Sequence, residues 1–483
     1  MKELNRQTKD RNETLPLKIM QFGGGNFLRA FVDWMVQTLN EETDFNAGVA
    51  IIKPTEGGNY QTLKSQNGFF TVVLDGIKNG NLIAERKLIT CVQDVVNPYS
   101  EWDAYLKLAE NENLRFIISN TTEAGIAFNS QDTFDADPPK EYPAKLTVWL
   151  YHRFQYFKGD GAMGCILLPC ELIENNGDVL KQTIVRYIDH WQLGDEFEHW
   201  VTTSNHFCST LVDRIVSGFP TGSAEKIQKE LGYTDRLLVA GEYYHSWVIQ
   251  GPESVEKELP FAATDLNVEF VKDLAPYREM KVRILNGAHT AMVPIGYLAG
   301  LRLVKEVMDD EEISGFVESL LLEEACSTLD FPERIKQQFV RDVLDRFRNP
   351  SLEHKLISIS LNSTSKFVAR LLPTLKDYYR ARYELPERIV LALAALILFC
   401  RGKFEGQSID IKDNAETIDV FSDAWARFDT QEINASELVQ AVLSQTSIWG
   451  EDLTQIPSLS KKVAKYLDEI LGNGVYAAVA FIK

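Results

Sequence analysis

The sequence has no apolar run long enough to cross a bilayer. Its most apolar stretch, Val390 to Cys400 (VLALAALILFC), falls well short of the roughly 20 residues a spanning helix needs and reads as a buried helix. Positive charge is in deficit: 50 Lys and Arg against 69 Asp and Glu give a formal net charge of −19. Such a chain repels polyanions, which argues against nucleic acid or an anionic membrane surface as its partner. The same field disfavours an anionic substrate unless local cations reverse it. CxxC pairs and zinc-finger spacings are missing. The six cysteines (Cys91, Cys165, Cys170, Cys208, Cys326 and Cys400) are scattered and read as reduced, structural thiols. The opening residues, MKELNRQTKDRNETLP, lack the apolar segment of a secretory signal, so a reducing cytoplasm is the expected location. No low-complexity tract or solenoid repeat stands out.

What is there is ordinary globular material, 45% hydrophobic over 483 residues, which is more than one core usually organises and predicts two domains. The first half alternates strand-like and helix-like segments. Leu17 to Phe22, Ala47 to Lys53, Leu114 to Ser119 and Ala162 to Pro169 read as strands. Phe27 to Leu39, Ser100 to Glu110 and a segment from about Asp178 read as helices between or after them. This alternation predicts a mostly parallel sheet covered on both faces. Beyond Gly251-Pro252-Glu253-Ser254 the pattern turns helical: Tyr277 to Leu301, Asp310 to Cys326, Pro332 to Phe347, Ser365 to Tyr378 and Pro386 to Cys400. Leu459 to Lys483 reads as a packing helix and strand. The expected division is an α/β domain over 1–255 and a mainly helical domain over 256–483.

The first strand runs into Gly23-Gly24-Gly25-Asn26-Phe27-Leu28-Arg29 and a helix. Glycines in that setting let the backbone approach a pyrophosphate, and the helix N-terminus adds N–H donors, which is the arrangement of a Rossmann-like dinucleotide site. Phe22, Gly23, Gly24, Gly25, Asn26, Phe27 and Arg29 are therefore candidate cofactor contacts. Leu28 stands where a third glycine is usual, and a glycine turn joining an edge strand to a helix is the plainer alternative. The second strand ends at Lys53 rather than an acid, which leaves NAD and NADP both open on residues alone.

The segment Lys281-Val282-Arg283-Ile284-Leu285-Asn286-Gly287-Ala288-His289 carries the chemistry. On an ideal α-helix Lys281, Asn286 and His289 spread over an arc of about 140°, which suits a helix lining a cleft. A desolvated lysine exchanges a proton with a hydroxyl near neutral pH. An asparagine amide donates to a developing alkoxide, and a histidine binds the same oxygen or its neighbour. A solvated lysine, a capping asparagine and a core histidine are the bland alternatives. A nucleotide sensor without turnover is a third, but it has no use for a proton-transfer lysine.

With these segments in hand, the chain resembles the mannitol dehydrogenase family of polyol-specific long-chain dehydrogenases from about Leu17 to beyond Lys366. Four segments carry the resemblance: Gln21 to Phe31, Thr121-Thr122-Glu123-Ala124-Gly125, Ser209 to Val216, and the K-x-x-x-x-N-x-x-H spacing of Lys281, Asn286 and His289. It implies NAD as cofactor, with Thr121 and Glu123 bordering the nicotinamide and the helical domain bringing Lys281 to it. It implies Lys281 as general acid/base, Asn286 and His289 beside the reacting oxygen, and no metal. Asp213 is implied either as a contact to a substrate hydroxyl or as a partner of Arg214. Mannitol dehydrogenases carry an Asp-Asn pair where this chain has Glu171-Leu172, and leucine cannot donate a hydrogen bond. That departure points away from mannitol and toward the family's hexuronate branch, hence to a small sugar-acid substrate. A uronate carboxylate needs a cation, for which Lys366, Arg370 and His245 are the candidates.

Overall fold

In the computed structural model, residues 1–8, 14–58, 60–121, 124–351 and 353–482 are described. They form two compact units, Met1–Asp75 with Leu82–Leu274, and Gly76–Asn81 with Ala275–Lys483.

The first unit is built on six parallel strands: β1 (Leu17–Phe22), β2 (Gly48–Ile52), β3 (Val92–Val96), β4 (Phe116–Ser119), β5 (Ile166–Pro169) and β6 (His206–Phe207). Their order is β3-β2-β1-β4-β5-β6, so the chain doubles back between β1 and β4. Ligands of open α/β sheets bind at that switch point, outside the carboxyl ends of the strands. Side chains alternate between two cores. Ile19, Val49, Ile51, Phe116, Ile118 and Ile166 enter one, while Met20, Phe22, Ala50, Ile52, Ile117 and Leu167 enter the other. Both faces of the sheet are therefore covered, as parallel strands require.

Three smaller sheets flank it: Lys2–Glu3 pairs with Tyr233–Thr234, and a four-stranded sheet runs Val216–Gly218, Val239–Glu242, Phe70–Lys78, Asn81–Ile89. The third joins Ser209–Asp213, Ser246–Gln250 and Val268–Val271. Because Val268–Val271 pairs in parallel with Ser246–Gln250, and Leu274 N–H donates to Gln250 Oε1 at 3.1 Å, the first unit runs on past residue 255 to Leu274.

The second unit is helical around Glu387–Phe399, which is buried from Ile389 to its end. That helix is the apolar run noted above, and among the described residues no helix is long and apolar enough to cross a membrane. The expected terminal strand is instead a second helix: Leu459–Asn473 is followed by Val475–Phe481. Val475, Ala478 and Val479 join the helical core, which sets a helical rather than a two-residue repeat.

Candidate active site

The glycine turn after β1 shows three different reasons for glycine. Gly23 has φ +119°, a conformation that L side chains rarely adopt, and its N–H donates to Ile52 O at 3.0 Å. At Gly24 a Cβ would fall 2.8 Å from Leu63 Cδ1 and 3.0 Å from Tyr60 Cε1, and the Gly24 N–H donates to the Tyr60 hydroxyl at 2.9 Å. Gly25 has an ordinary φ of −70°, and nothing lies within 4 Å of where its Cβ would be. A glycine with neither strain nor crowding leaves room for a ligand to approach the backbone. The helical stretch over 26–42 begins beside that space, so the loop fits a pyrophosphate. We expect Gly25→Val to leave the melting temperature within about 2 °C while weakening NADH binding at least tenfold by calorimetry. Unchanged binding would remove Gly25 from the cofactor site.

Arg29, a candidate phosphate contact, is a brace for this loop. It is buried, and its guanidinium donates to Gly24 O (3.2 Å), Asn26 Oδ1 (2.7 Å) and Leu237 O. Phe27 stacks on Phe31 at 4.9 Å, and Phe22 packs on Tyr142 at 4.7 Å. The helix is not regular: Arg29–Asp33 forms a π turn. At its end Asp33 is fully buried, accepting from Gln21 Nε2 at 3.3 Å, and burial pushes its carboxyl up to about 7. Between about pH 4 and 7 the unfolded chain releases this proton while the native state keeps it. Stability therefore falls as pH rises through that window, by an amount on the order of a few kcal/mol. Asp33→Asn should raise the melting temperature clearly at pH 8 and little at pH 4. An equal gain at both would mean Asp33 is ionised throughout.

Across the switch point, β4 ends at Ser119, with Thr121 two residues beyond. The Asn120 N–H donates to Phe22 O at 3.3 Å, which seats this segment against the glycine turn. Glu123 lies outside the described residues. Arg214 donates to the carbonyls of Ala30, Tyr243 and Tyr244 and stacks 4.2 Å over Trp34. Its guanidinium is thus spent on carbonyls rather than on Asp213, which ends the strand paired with Ser246–Gln250. His245 is also committed within this unit. It is buried against Trp34, its Nε2 accepts from Asn267 N–H at 2.9 Å, and its Nδ1 lies 3.3 Å from Tyr243 O. A ring nitrogen that accepts a backbone N–H carries no proton, so His245 is not the cation for a carboxylate.

In the second unit Lys281–Asn286 is a π turn that passes into the helix Gly287–Leu298. This corrects the arc drawn from α geometry. A π turn closes hydrogen bonds between residues five apart, which brings Lys281 and Asn286 onto one face instead of about 140° apart. His289 is held between Phe347 (4.5 Å between ring centroids) and His354 (5.0 Å, edge to face). His354 had no motif to announce it; its side chain is half-buried, and burial followed by Arg346 lowers its pKa.

The same helix meets a cation. Thr290 hydroxyl donates to Asn286 O at 2.9 Å, and Arg370 Nη1 donates to the Thr290 hydroxyl at 3.3 Å. Burial alone lowers the Arg370 pKa, with no carboxylate acting to raise it. Lys366, one turn earlier on Ser363–Arg370, donates to Ile359 O at 2.7 Å, and burial, then Arg370, lowers its pKa. By contrast Arg283, on the Lys281 turn, is an internal strut paired with Asp377 and Glu279. Among the described residues no group of three or more His, Cys, Asp or Glu side chains is arranged to hold a metal.

A doubly wound parallel sheet with a glycine turn at its switch point, joined in one chain to a helical unit, is the architecture of a two-domain dinucleotide-dependent oxidoreductase. The chain belongs to the mannitol dehydrogenase family: residues 17–263 match its Rossmann domain and residues 273–471 its C-terminal domain. It is 48% identical over 466 residues to an altronate oxidoreductase of Yersinia pestis bv. Antiqua (strain Nepal516), covering 96% of each chain. It is 45% identical over 480 residues to an altronate oxidoreductase of Escherichia coli O6:K15:H31 (strain 536 / UPEC), covering 99% of each. In fold it is similar to a D-sorbitol dehydrogenase solved in substrate-free form (TM-score 0.77, 20% identity, 99% and 100% covered). It is similar too to Pseudomonas fluorescens mannitol 2-dehydrogenase, solved as a ternary complex with NAD and D-mannitol (TM-score 0.64, 20% identity, 99% of each covered).

Proposed function

We propose that the chain reduces tagaturonate to altronate with NADH, and catalyses the reverse oxidation. The observation that carries this reading is Arg370, a half-buried guanidinium with no ion pair among the described residues, linked through Thr290 to Asn286. A cation linked in this way to the Asn286 turn suits a substrate with a carboxylate beyond its ketone, and the altronate oxidoreductase relatives support the same class.

Gly23 to Gly25 would hold the pyrophosphate of NADH, which when bound would supply the hydride. Asn286 donates its amide N–H to the ketone oxygen, stabilising negative charge as it develops there. Lys281 delivers a proton from Nζ to that oxygen, completing the carbinol, and takes it back in the reverse direction. His289, braced by Phe347 and His354, orients a neighbouring hydroxyl. Arg370, with Lys366 beside it, would hold the carboxylate and so fix which carbon meets Asn286 and Lys281.

The reading is tested by labelling. With NADH deuterated at both C4 positions, one deuterium should appear on the new carbinol carbon of altronate by mass spectrometry. Unlabelled altronate, or none, contradicts it.

A further inference from the structure

The pair that departs from the mannitol dehydrogenase pattern, Glu171-Leu172, is divided by the fold. Leu172 is exposed, while Glu171 is 2% exposed at the end of β5. A carboxylate so deeply buried calls for a reason, and its partners give one. Glu171 Oε2 accepts from Ser119 Oγ at 3.0 Å, and its Oε1 accepts from both the Thr121 N–H and the Thr121 hydroxyl at 3.0 Å. All three donors sit at the carboxyl end of β4, across the switch point from the glycine turn.

Glu171 is itself anchored from behind. The Asn176 amide, fully buried, donates to the carbonyls of Pro169 (2.9 Å), Glu171 (2.9 Å) and Thr210 (3.1 Å), while its oxygen accepts from Thr210 N–H at 2.8 Å. Gly177 permits this closeness, since a Cβ there would lie 2.6 Å from the Cys208 carbonyl carbon. Burial raises the Glu171 carboxyl above its usual range, and the Thr121 and Ser119 donors oppose that shift. The network thus runs from a rigid hub to one short segment, the lip of the crevice facing Gly23.

We propose that Glu171 is a positioning residue for the dinucleotide: it fixes the Ser119–Thr121 lip so that the nicotinamide-ribose half of the cofactor meets a preformed edge. This rests on the NADH-dependent reading above. Preorganisation of this kind acts on affinity, because a lip that must order on binding subtracts that ordering from the binding free energy. The adenosine-pyrophosphate half, seated at the glycine turn, does not depend on it.

Calorimetric titration of the full chain with NADH and separately with ADP tests this. Glu171→Ala should weaken NADH binding about tenfold and leave ADP binding within about twofold. Glu171→Gln should restore most of the NADH affinity, since its oxygen still accepts from Thr121 and its amide donates to the Ser119 hydroxyl. If Glu171→Ala does not fold, Ser119→Ala probes the same contact from the donor side and should weaken NADH severalfold. Equal loss of NADH and ADP affinity, a Gln variant as weak as Ala, or no change in NADH affinity overturns the assignment. Wild-type protein that binds neither NADH nor ADP overturns the reading on which it rests.

Discussion

Lys281→Ala should lower turnover of tagaturonate by about two orders of magnitude or more while the calorimetric affinity for NADH stays within about twofold. The expectation follows from where the side chain stands. Lys281 opens the π turn that sets it on one face with Asn286, and it lies in the helical unit, apart in sequence from the glycine turn. In the proposed mechanism, removing its ammonium deletes the proton donor and leaves Asn286 to polarise the oxygen alone. The loss should fall on kcat more than on KM, because proton delivery matters in the transition state and not in ground-state binding. Asn286→Ala should cost less, since a lost N–H donor weakens charge stabilisation without removing the proton. Near-normal turnover in Lys281→Ala would take that residue out of the mechanism.

Arg370→Ala should weaken kcat/KM for the keto-uronate about a hundredfold, mainly through KM, and leave any slow reduction of fructose unchanged. Arg370 has one hydrogen bond to a side chain, at Thr290, and no ion pair among the described residues, so little of the fold depends on it. Arg370→Lys should recover part of the loss, because it restores charge without the planar fork. If fructose and the uronate lose activity alike, Arg370 shapes the site and does not read the carboxylate.

Much of the first unit was legible because parallel strands buried on both faces leave plain apolar runs. LKIMQF is a strand over Leu17–Phe22 with the expected bounds, and the segments ending at Ser119 and Pro169 end there in the structure. The small sheets were harder to read. Asn81–Ile89 is largely polar or half-buried, and Val216–Gly218 is three residues long. Neither carries enough periodicity to register.

The π turns at Arg29–Asp33 and Lys281–Asn286 were invisible for a different reason: a helical pattern is read at 3.6 residues per turn, and a single wider turn only shifts its phase. The residue types of the second-unit site were legible as a spacing, but their shared face was not. His354 and Thr290 had no motif, because their places come from tertiary packing against His289 and Arg370. Glu171 registered in the sequence only as a mismatch, and its three donors come from Ser119 and Thr121, about fifty residues away in the chain.

The account stands most directly on NADH consumption, followed by near-ultraviolet absorbance, with tagaturonate, fructuronate and fructose offered separately at equal concentration. It predicts rapid oxidation of NADH with tagaturonate, slower oxidation with its epimer fructuronate, and least with fructose, which has no carboxylate. Preference for fructose, or no turnover with any of the three, would contradict it.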